Sequence, residues 1–305
     1  MKTNALRWCI VILMLLGICL FFSSPGLADI EPIPMDLKVH GRPLQPDGWK
    51  SDVEYEDESI HAVMESASRK PKSSKEKVTC RWVRIKIADP SQLRTTMSYE
   101  SYENTKQARP AAMAENLNSV VACNDDFMKY KYNIGYIVRQ GVFYRDALDG
   151  SRDVLIIDDE GNFSYVLNAT SEMMAAKLEE MTAAGRIMVN TFSFGPVLIA
   201  DGEIQPLDNV FRSVEATLAT QRIAICQLGE LEYGVVEIDG GDGNGMNLKE
   251  LAAYIQIVFP ECKVAYNLDG GGSTNLMLNG RRVHKTRNSR SISGLIYFAS
   301  AVKEE

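Results

Sequence analysis

The stretch Val264-Ala265-Tyr266-Asn267-Leu268-Asp269-Gly270-Gly271-Gly272-Ser273-Thr274 decides how the rest of the chain is read. An apolar run enters it, an aspartate stops the run, and three glycines precede a second apolar run, Leu276-Met277-Leu278. Ordering three consecutive glycines is entropically costly, so a plain turn rarely needs them all. They fit a place where backbone approaches another group closely, or where successive N–H groups converge on an anion. Taken alone, Asp-Gly-Gly is more often a strand-end turn whose aspartate caps its own backbone. A second copy upstream shifts that balance. Gly234 to Ile238 reads as a strand ending in Asp239-Gly240-Gly241. Asn247 then caps a helix running to about Phe259, and Pro260 stops it before the Val264 strand. A strand-helix-strand unit of this kind makes its strands parallel and its crossover right-handed in nearly all cases. Asp239 and Asp269 then leave the carboxyl ends of parallel strands on one sheet edge, where open α/β sheets build their sites. As neighbours, the two strand ends would lie roughly 5–10 Å apart, from an interstrand spacing of about 4.8 Å.

Outward from this unit, residues 78–305 read as one domain of α+β (mixed α/β) class. Its core is a mixed β-sheet with helices packed on it, the C-terminal right-handed strand-helix-strand unit among them. Trp82 to Ile87 alternates apolar and basic residues, as a half-exposed strand does. A helix is expected from Thr105 to Asn116, then a strand from Ser119 to Cys123 that ends in Asn124-Asp125-Asp126-Phe127. Ser171 to Ala184 reads as a helix with Ser171 as cap and Gly185 as stop. A hairpin turns at Asp201-Gly202, and Ala219 to Leu228 forms a strand carrying Arg222. Residues 29–77 hold Pro32, Pro34, Pro43 and Pro46 and an acidic patch from Asp52 to Glu58. They read as an extended arm or linker with a short helix from Ser59 to Ser68.

Composition excludes some functions. The formal charge of −7 argues against a nucleic-acid protein, whose domains carry a basic face. Lys2 and Arg7 precede an apolar run from Cys9 to Phe22, and Gly26-Leu27-Ala28 offers a small-x-small cleavage site. That pattern is a secretory signal peptide over residues 1–28, too short for a comfortable membrane span. The expected product is secreted or periplasmic, with no stable membrane insertion after cleavage near Ala28. Removal of Lys2 and Arg7 leaves 31 basic residues against 40 acidic ones, a charge of about −9. Cys80, Cys123, Cys226 and Cys262 remain, and four cysteines allow three full pairings that sequence does not choose among. Nothing has zinc-ligand spacing.

The chemistry on offer is carboxylate chemistry. His284 is the only histidine of the predicted domain, and no G-x-S-x-G occurs, so a Ser-His-Asp triad lacks support. Asp125, Asp126, Asp239, Asp242 and Asp269 all stand at strand ends. Two carboxylates flanking a bond are what glycoside hydrolysis needs, although acidic residues are also common in turns. Positive charge stands close by in sequence: Arg281, Arg282, His284, Lys285, Arg287 and Arg290. Arg222 sits on an apolar strand, where it either pairs with a buried carboxylate or binds an anion. Guanidinium forks with the amides of Gly270–Thr274 would suit a phosphate; a solvated basic surface is the plainer alternative. Gly240 to Gly245 partly echoes a calcium loop but fails the EF-hand pattern. No cofactor is required, and calcium or magnesium held by oxygen ligands stays open.

Several ordered blocks resemble the phosphodiester glycosidase family, whose members remove a sugar from a sugar-phosphate diester. Asn267-Leu268-Asp269-Gly270-Gly271-Gly272-Ser273-Thr274 followed by Leu278-Asn279-Gly280 looks like its signature. Ala122-Cys123-Asn124-Asp125-Asp126-Phe127, Phe194-Gly195-Pro196-Val197-Leu198, Gln221-Arg222-Ile223-Ala224-Ile225 and Leu248-Lys249-Glu250-Leu251-Ala252 match further family blocks in order, as does Arg290-Ser291-Ile292-Ser293. The likeness spans about Thr79 to the end. Asp125 stands where the family usually has Gly, Cys226 where it has Gly, and Ser291 where it has Pro. The resemblance implies a divergent exported hydrolase acting on a carbohydrate-phosphate substrate. On this reading Asp269 and Asp239 do acid/base work and Asn124 and Asp126 orient the sugar. Arg222, Arg290 and the backbone of Gly270, Gly271, Gly272, Ser273 and Thr274 hold the phosphate. Two alternatives stand beside it: a non-catalytic binding module for anionic envelope polysaccharide, and a metal-dependent phosphodiesterase.

Overall fold

The computed structural model describes residues 30–127, 133–207, 216–241, 243–284 and 289–303. The expected signal peptide, Asp242, Lys285 and Arg287 lie outside the described residues. Within them the fold is α+β, dominated by strands. In chain order the strands begin with β1 (Trp49–Ser51), β2 (Glu54–Glu56), β3 (Ile60–Arg69), β4 (Val78–Ile87), β5 (Leu93–Met97) and β6 (Ser119–Asn124). There follow a hairpin, β7 (Gly135–Arg139) and β8 (Val142–Ala147), and then β9 (Val154–Asp158), β10 (Phe163–Val166) and β11 (Met188–Phe192). Next come β12 (Val197–Ala200), β13 (Glu203–Ile204), β14 (Arg222–Gly229), β15 (Glu232–Ile238) and β16 (Val264–Asn267). The last are β17 (Leu276–Leu278), β18 (Arg281–Arg282) and β19 (Gly294–Ala299). The helices are α1 (Pro110–Ala114), α2 (Ser171–Ala183) and α3 (Leu248–Val258).

Two large sheets organise the molecule. One has nine strands in the order β1-β2-β3-β4-β15-β14-β16-β12-β13, and the other has five in the order β18-β17-β6-β19-β5. Residue alternation along β14 explains the layering. Ile223 and Ile225 face a core shared with Val121, Cys123, Ile296 and Phe298 of the five-stranded sheet. Ala224 and Cys226 face the opposite side, where α3 lays Leu248, Leu251, Ala252 and Ile255 against the sheet. Burying a leucine such as Leu251 in this way stabilises the fold by about 1.5–3 kcal/mol. Helix α3 starts where it does because Asn247 accepts the Glu250 amide at 2.9 Å and Glu250 reaches back to the Asn247 amide, a capping box.

Strands β15 and β16 both run antiparallel to β14, which lies between them. They therefore run in the same direction but do not pair, so the neighbour condition for Asp239 and Asp269 is not met. Two interstrand steps put the strand axes about 10 Å apart. The segment read as an arm supplies β1, β2 and β3, and the helix expected from Ser59 to Ser68 is a strand paired with β4 along its whole length. The helix expected from Thr105 to Asn116 is reduced to five residues, because Pro110 opens it and Arg109 before it takes an extended conformation. Thr170, not Ser171, caps α2. The Asp201-Gly202 hairpin forms as read, with both residues at positive φ, the conformation of a tight two-residue turn. Cys80, Cys123, Cys226 and Cys262 are free and buried.

Candidate functional site

The carboxyl ends of β6 and β16 belong to different sheets, and side chains stitch them together. Asn124 at the end of β6 donates from Nδ2 to the Asp269 carbonyl at 2.7 Å and accepts the Asn275 amide at Oδ1 at 2.9 Å. The Asp269 amide donates to the Asp125 carbonyl at 3.3 Å. Asn124 is thus a positioning residue, buried beneath the Asp269 turn. Asp269 is itself 6% exposed. Nη2 of Arg290 reaches both its carboxylate oxygens, at 3.2 and 3.1 Å, and Arg290 Nε donates to Ser273 Oγ at 2.6 Å. Ser273 hydrogen-bonds the Asp269 carboxylate in turn. Burial pushes the Asp269 pKa up; Ser273 and Arg290 pull it down, and the Asp126 charge adds to the rise. A carboxyl group so placed holds a proton more readily than an exposed aspartate.

Behind it lies a second acidic pair. Asp126 is enclosed: one oxygen takes a 2.7 Å bond from Arg139 and the other accepts the Ser193 amide at 2.7 Å. Asp125 Oδ2 lies 3.6 Å from the same guanidinium, and burial with the Asp126 charge raises the Asp125 pKa well above the carboxylate range. The guanidinium carbon of Arg139 lies over the Phe192 ring, 4.5 Å from its centroid. Space for Asp125 exists because residue 294 is glycine: a Cβ there would meet Asp125 Oδ2 at 2.0 Å. Arg139 escaped the sequence reading, although a basic residue closing the apolar run Tyr136-Ile137-Val138 was a visible signal.

Asp239 stands apart from this cluster. Its side chain is one-third exposed, accepts the Gly240 amide at 2.7 Å and lies 3.7 Å from His284 Nε2. His284 is closer to Glu237, at 3.2 Å, and Glu237 is fully enclosed with Arg81 at 2.8 Å. Glu237, a charged residue inside the apolar run Val235-Val236-Glu237-Ile238, was the overlooked member here. Arg222 donates to the carbonyls of Met246 and Leu218, each at 3.0 Å, and its stem lies beside Gly270. In the glycine turn, the amides of Gly271, Ser273 and Thr274 donate to Gln221, Gly270 and Gly271 carbonyls. Those three amides already have backbone partners. Among the described residues no cluster of three or more His, Cys, Asp or Glu side chains is placed to hold a metal ion. None of their helices is long and apolar enough to cross a membrane.

A cleft of about 430 Å³ opens beside Arg290, lined also by Arg109, Arg282, Ser289 and Ser291. Through Arg290 it neighbours the buried carboxyl group of Asp269. The chain belongs to the phosphodiester glycosidase family, which matches residues 117–299, more than half its length. Membership in that family supports a hydrolase with a carbohydrate-phosphate substrate. Its fold is similar to the catalytic domain of zebrafish N-acetylglucosamine-1-phosphodiester alpha-N-acetylglucosaminidase, auto-inhibited there by a propeptide. That match has 17% identity and a TM-score of 0.62, covering 86% of this chain and 87% of that one. A hypothetical protein from Synechocystis matches at 14% identity and a TM-score of 0.56, over 79% of this chain and 62% of that one. A putative exported protein from Burkholderia pseudomallei matches at 12% identity and a TM-score of 0.50, over 74% and 75%. No curated protein matches the sequence.

Proposed function

We propose that this chain is an exported glycosidase that hydrolyses the bond between a sugar and a phosphodiester. The observation that carries the reading is Asp269: a buried carboxyl group with a raised pKa, gripped by Arg290 and Ser273 beside an arginine-lined cleft. As the sugar–oxygen bond breaks, Asp269 gives its proton to the departing phosphate oxygen, and water adds to the anomeric carbon. Arg290 receives the phosphate charge. Asp239, on the parallel strand, is the candidate for activating the water. Asn124 acts through Asp269 by fixing the turn that carries it, and the Asp126 charge acts by raising the Asp269 pKa. Arg222 and the glycine turn support the floor of the site rather than meeting substrate directly.

The test is release of free sugar from an N-acetylglucosamine-1-phosphodiester by the purified chain, with and without chelator. General acid catalysis contributes roughly 100- to 10,000-fold, so Asp269→Asn should lose at least about 100-fold in rate while keeping its melting temperature. Full speed in that variant sinks the assignment. Glycan binding with no turnover in the wild-type chain would favour the binding-module reading, and activity lost to EDTA and restored by calcium or magnesium would favour the phosphodiesterase.

A further inference from the structure

We infer that the cleft beside Asp269 contains a second phosphate subsite, formed by Arg109 and Arg282, so that the ligand carries two neighbouring phosphate charges. The phosphate class of the ligand rests on the phosphodiester reading above; the claim of two charges is independent of turnover. Charge inventory carries the inference. Three guanidinium groups line the cleft, and no acidic side chain does so among the described residues. Arg290 is committed to Asp269 and Ser273. Among the described residues Arg282 bonds neutral partners, Asn275 Oδ1 and Ser289 Oγ, and has no acidic one. Arg109 makes no ion pair among the described residues. With Arg290 occupied by Asp269 and Ser273, Arg109 and Arg282 remain as two positive charges with no acidic partner among the described residues. One phosphodiester supplies a single negative charge, and two adjacent ones supply both.

The backbone fixes these side chains relative to one another. Ala108 and Ile292 form an antiparallel bridge, with amide–carbonyl distances of 3.0 and 2.8 Å, that sets Arg109 alongside Arg290 and Ser291. Pro110 holds the preceding Arg109 in the extended region, at φ −69° and ψ 135°. Arg282 is on β18, paired with Met277 of β17, only a few residues beyond the Asp269 turn. The patch also runs against the balance of the chain, whose net charge is −7. The positive charge is concentrated in the cleft that Arg290, the partner of Asp269, lines.

The test uses the full chain and three uncleavable C-glycosyl phosphonate probes of N-acetylglucosamine, measured by titration calorimetry. One is a methyl ester with a single charge. The second is extended by glycerol bearing a methyl phosphodiester, and the third by glycerol ending in a neutral methoxy group. Low salt strengthens exposed charge contacts, so the doubly charged probe should bind about tenfold tighter than its neutral-ended match. Arg109→Ala should cut that advantage to about threefold or less, and Arg109→Lys should keep most of it. Arg282→Ala should act likewise, with a thermal melt confirming the fold after loss of its Asn275 bond. Equal affinity of the two extended probes for the wild-type chain overturns the subsite, as does an advantage that Arg109→Ala and Arg282→Ala both leave intact. Turnover of a single diester with equal probe affinities would leave the glycosidase reading standing while this inference falls. Tight, charge-dependent binding without turnover would do the reverse.

Discussion

Replacing Glu237 by Gln should remove a measurable slope of stability against pH. Glu237 is fully buried on β15, with Arg81 at 2.8 Å from one oxygen and His284 at 3.2 Å from the other. Burial raises its pKa from the ordinary 4.5 to about 8; Arg81 opposes the rise and Asp239 adds to it. A carboxyl group whose folded pKa is raised contributes stability that is fully present below its unfolded value and lost as pH climbs through the folded one. At 1.36 kcal/mol per unit, the whole swing is about 5 kcal/mol as an upper bound. His284 works the other way. Burial, with Arg81 second, pushes its pKa below the ordinary 6.5, so below that pH the unfolded chain binds a proton the folded chain refuses. Between 4.5 and 6.5 the folded state thus gains one proton at Glu237 and forgoes one at His284. The two slopes oppose each other there. From 6.5 to 8 only Glu237 of this pair contributes, a loss of about 2 kcal/mol from this residue.

Urea unfolding at pH 5, 6.5 and 8 reads this directly. The Gln variant should be less stable overall, because Arg81 loses its ionisable partner, but it should lack the alkaline loss of about 2 kcal/mol. It should also gain stability as pH rises towards 6.5, where His284 is no longer opposed. Asp125 and every other titrating group are common to both proteins, so the difference between the curves isolates Glu237. Parallel curves from pH 6.5 to 8 would refute the reasoning.

Two further substitutions test how the site is held. Gly294→Ala would place a Cβ 2.0 Å from Asp125 Oδ2 and 2.9 Å from the Thr96 carbonyl. It should cost about 1–3 kcal/mol in a chemical melt and slow any turnover; a neutral effect would mean that Asp125 is free to move. Arg94 is fully buried and donates to the carbonyls of Ile33, Pro34, Asp36, Val39 and Ser91. Arg94→Met should cost about 3 kcal/mol or more and speed limited proteolysis between residues 30 and 40; cleavage at the wild-type rate would count against Arg94 as the anchor of that segment.

What was legible in the sequence was local. Asn247 announces α3 through its own side chain, and Asp201-Gly202 announces a hairpin through a backbone conformation that glycine permits. The Asp269 turn drew notice because three glycines in a row demand a reason. What was not legible depended on partners far along the chain. Ser59 to Ser68 contains Ala, Met and Glu, residues at home in a helix, yet pairing with all ten residues of β4 overrides that preference. The crossover logic correctly made β15 and β16 run the same way, but the insertion of β14 between them depends on a strand that precedes both. The same limit governs the chemistry. Asp269 is a turn residue to its own neighbours; Asn124 binds its carbonyl from 145 positions away and Arg290 grips its carboxylate from 21 positions away. Asp126 likewise has a companion, Arg139, that nothing in its own block names. Residues at strand ends therefore mark the candidate site, whereas the rise in the Asp269 pKa comes from its burial and the Asp126 charge, opposed by Ser273 and Arg290 from further along the chain.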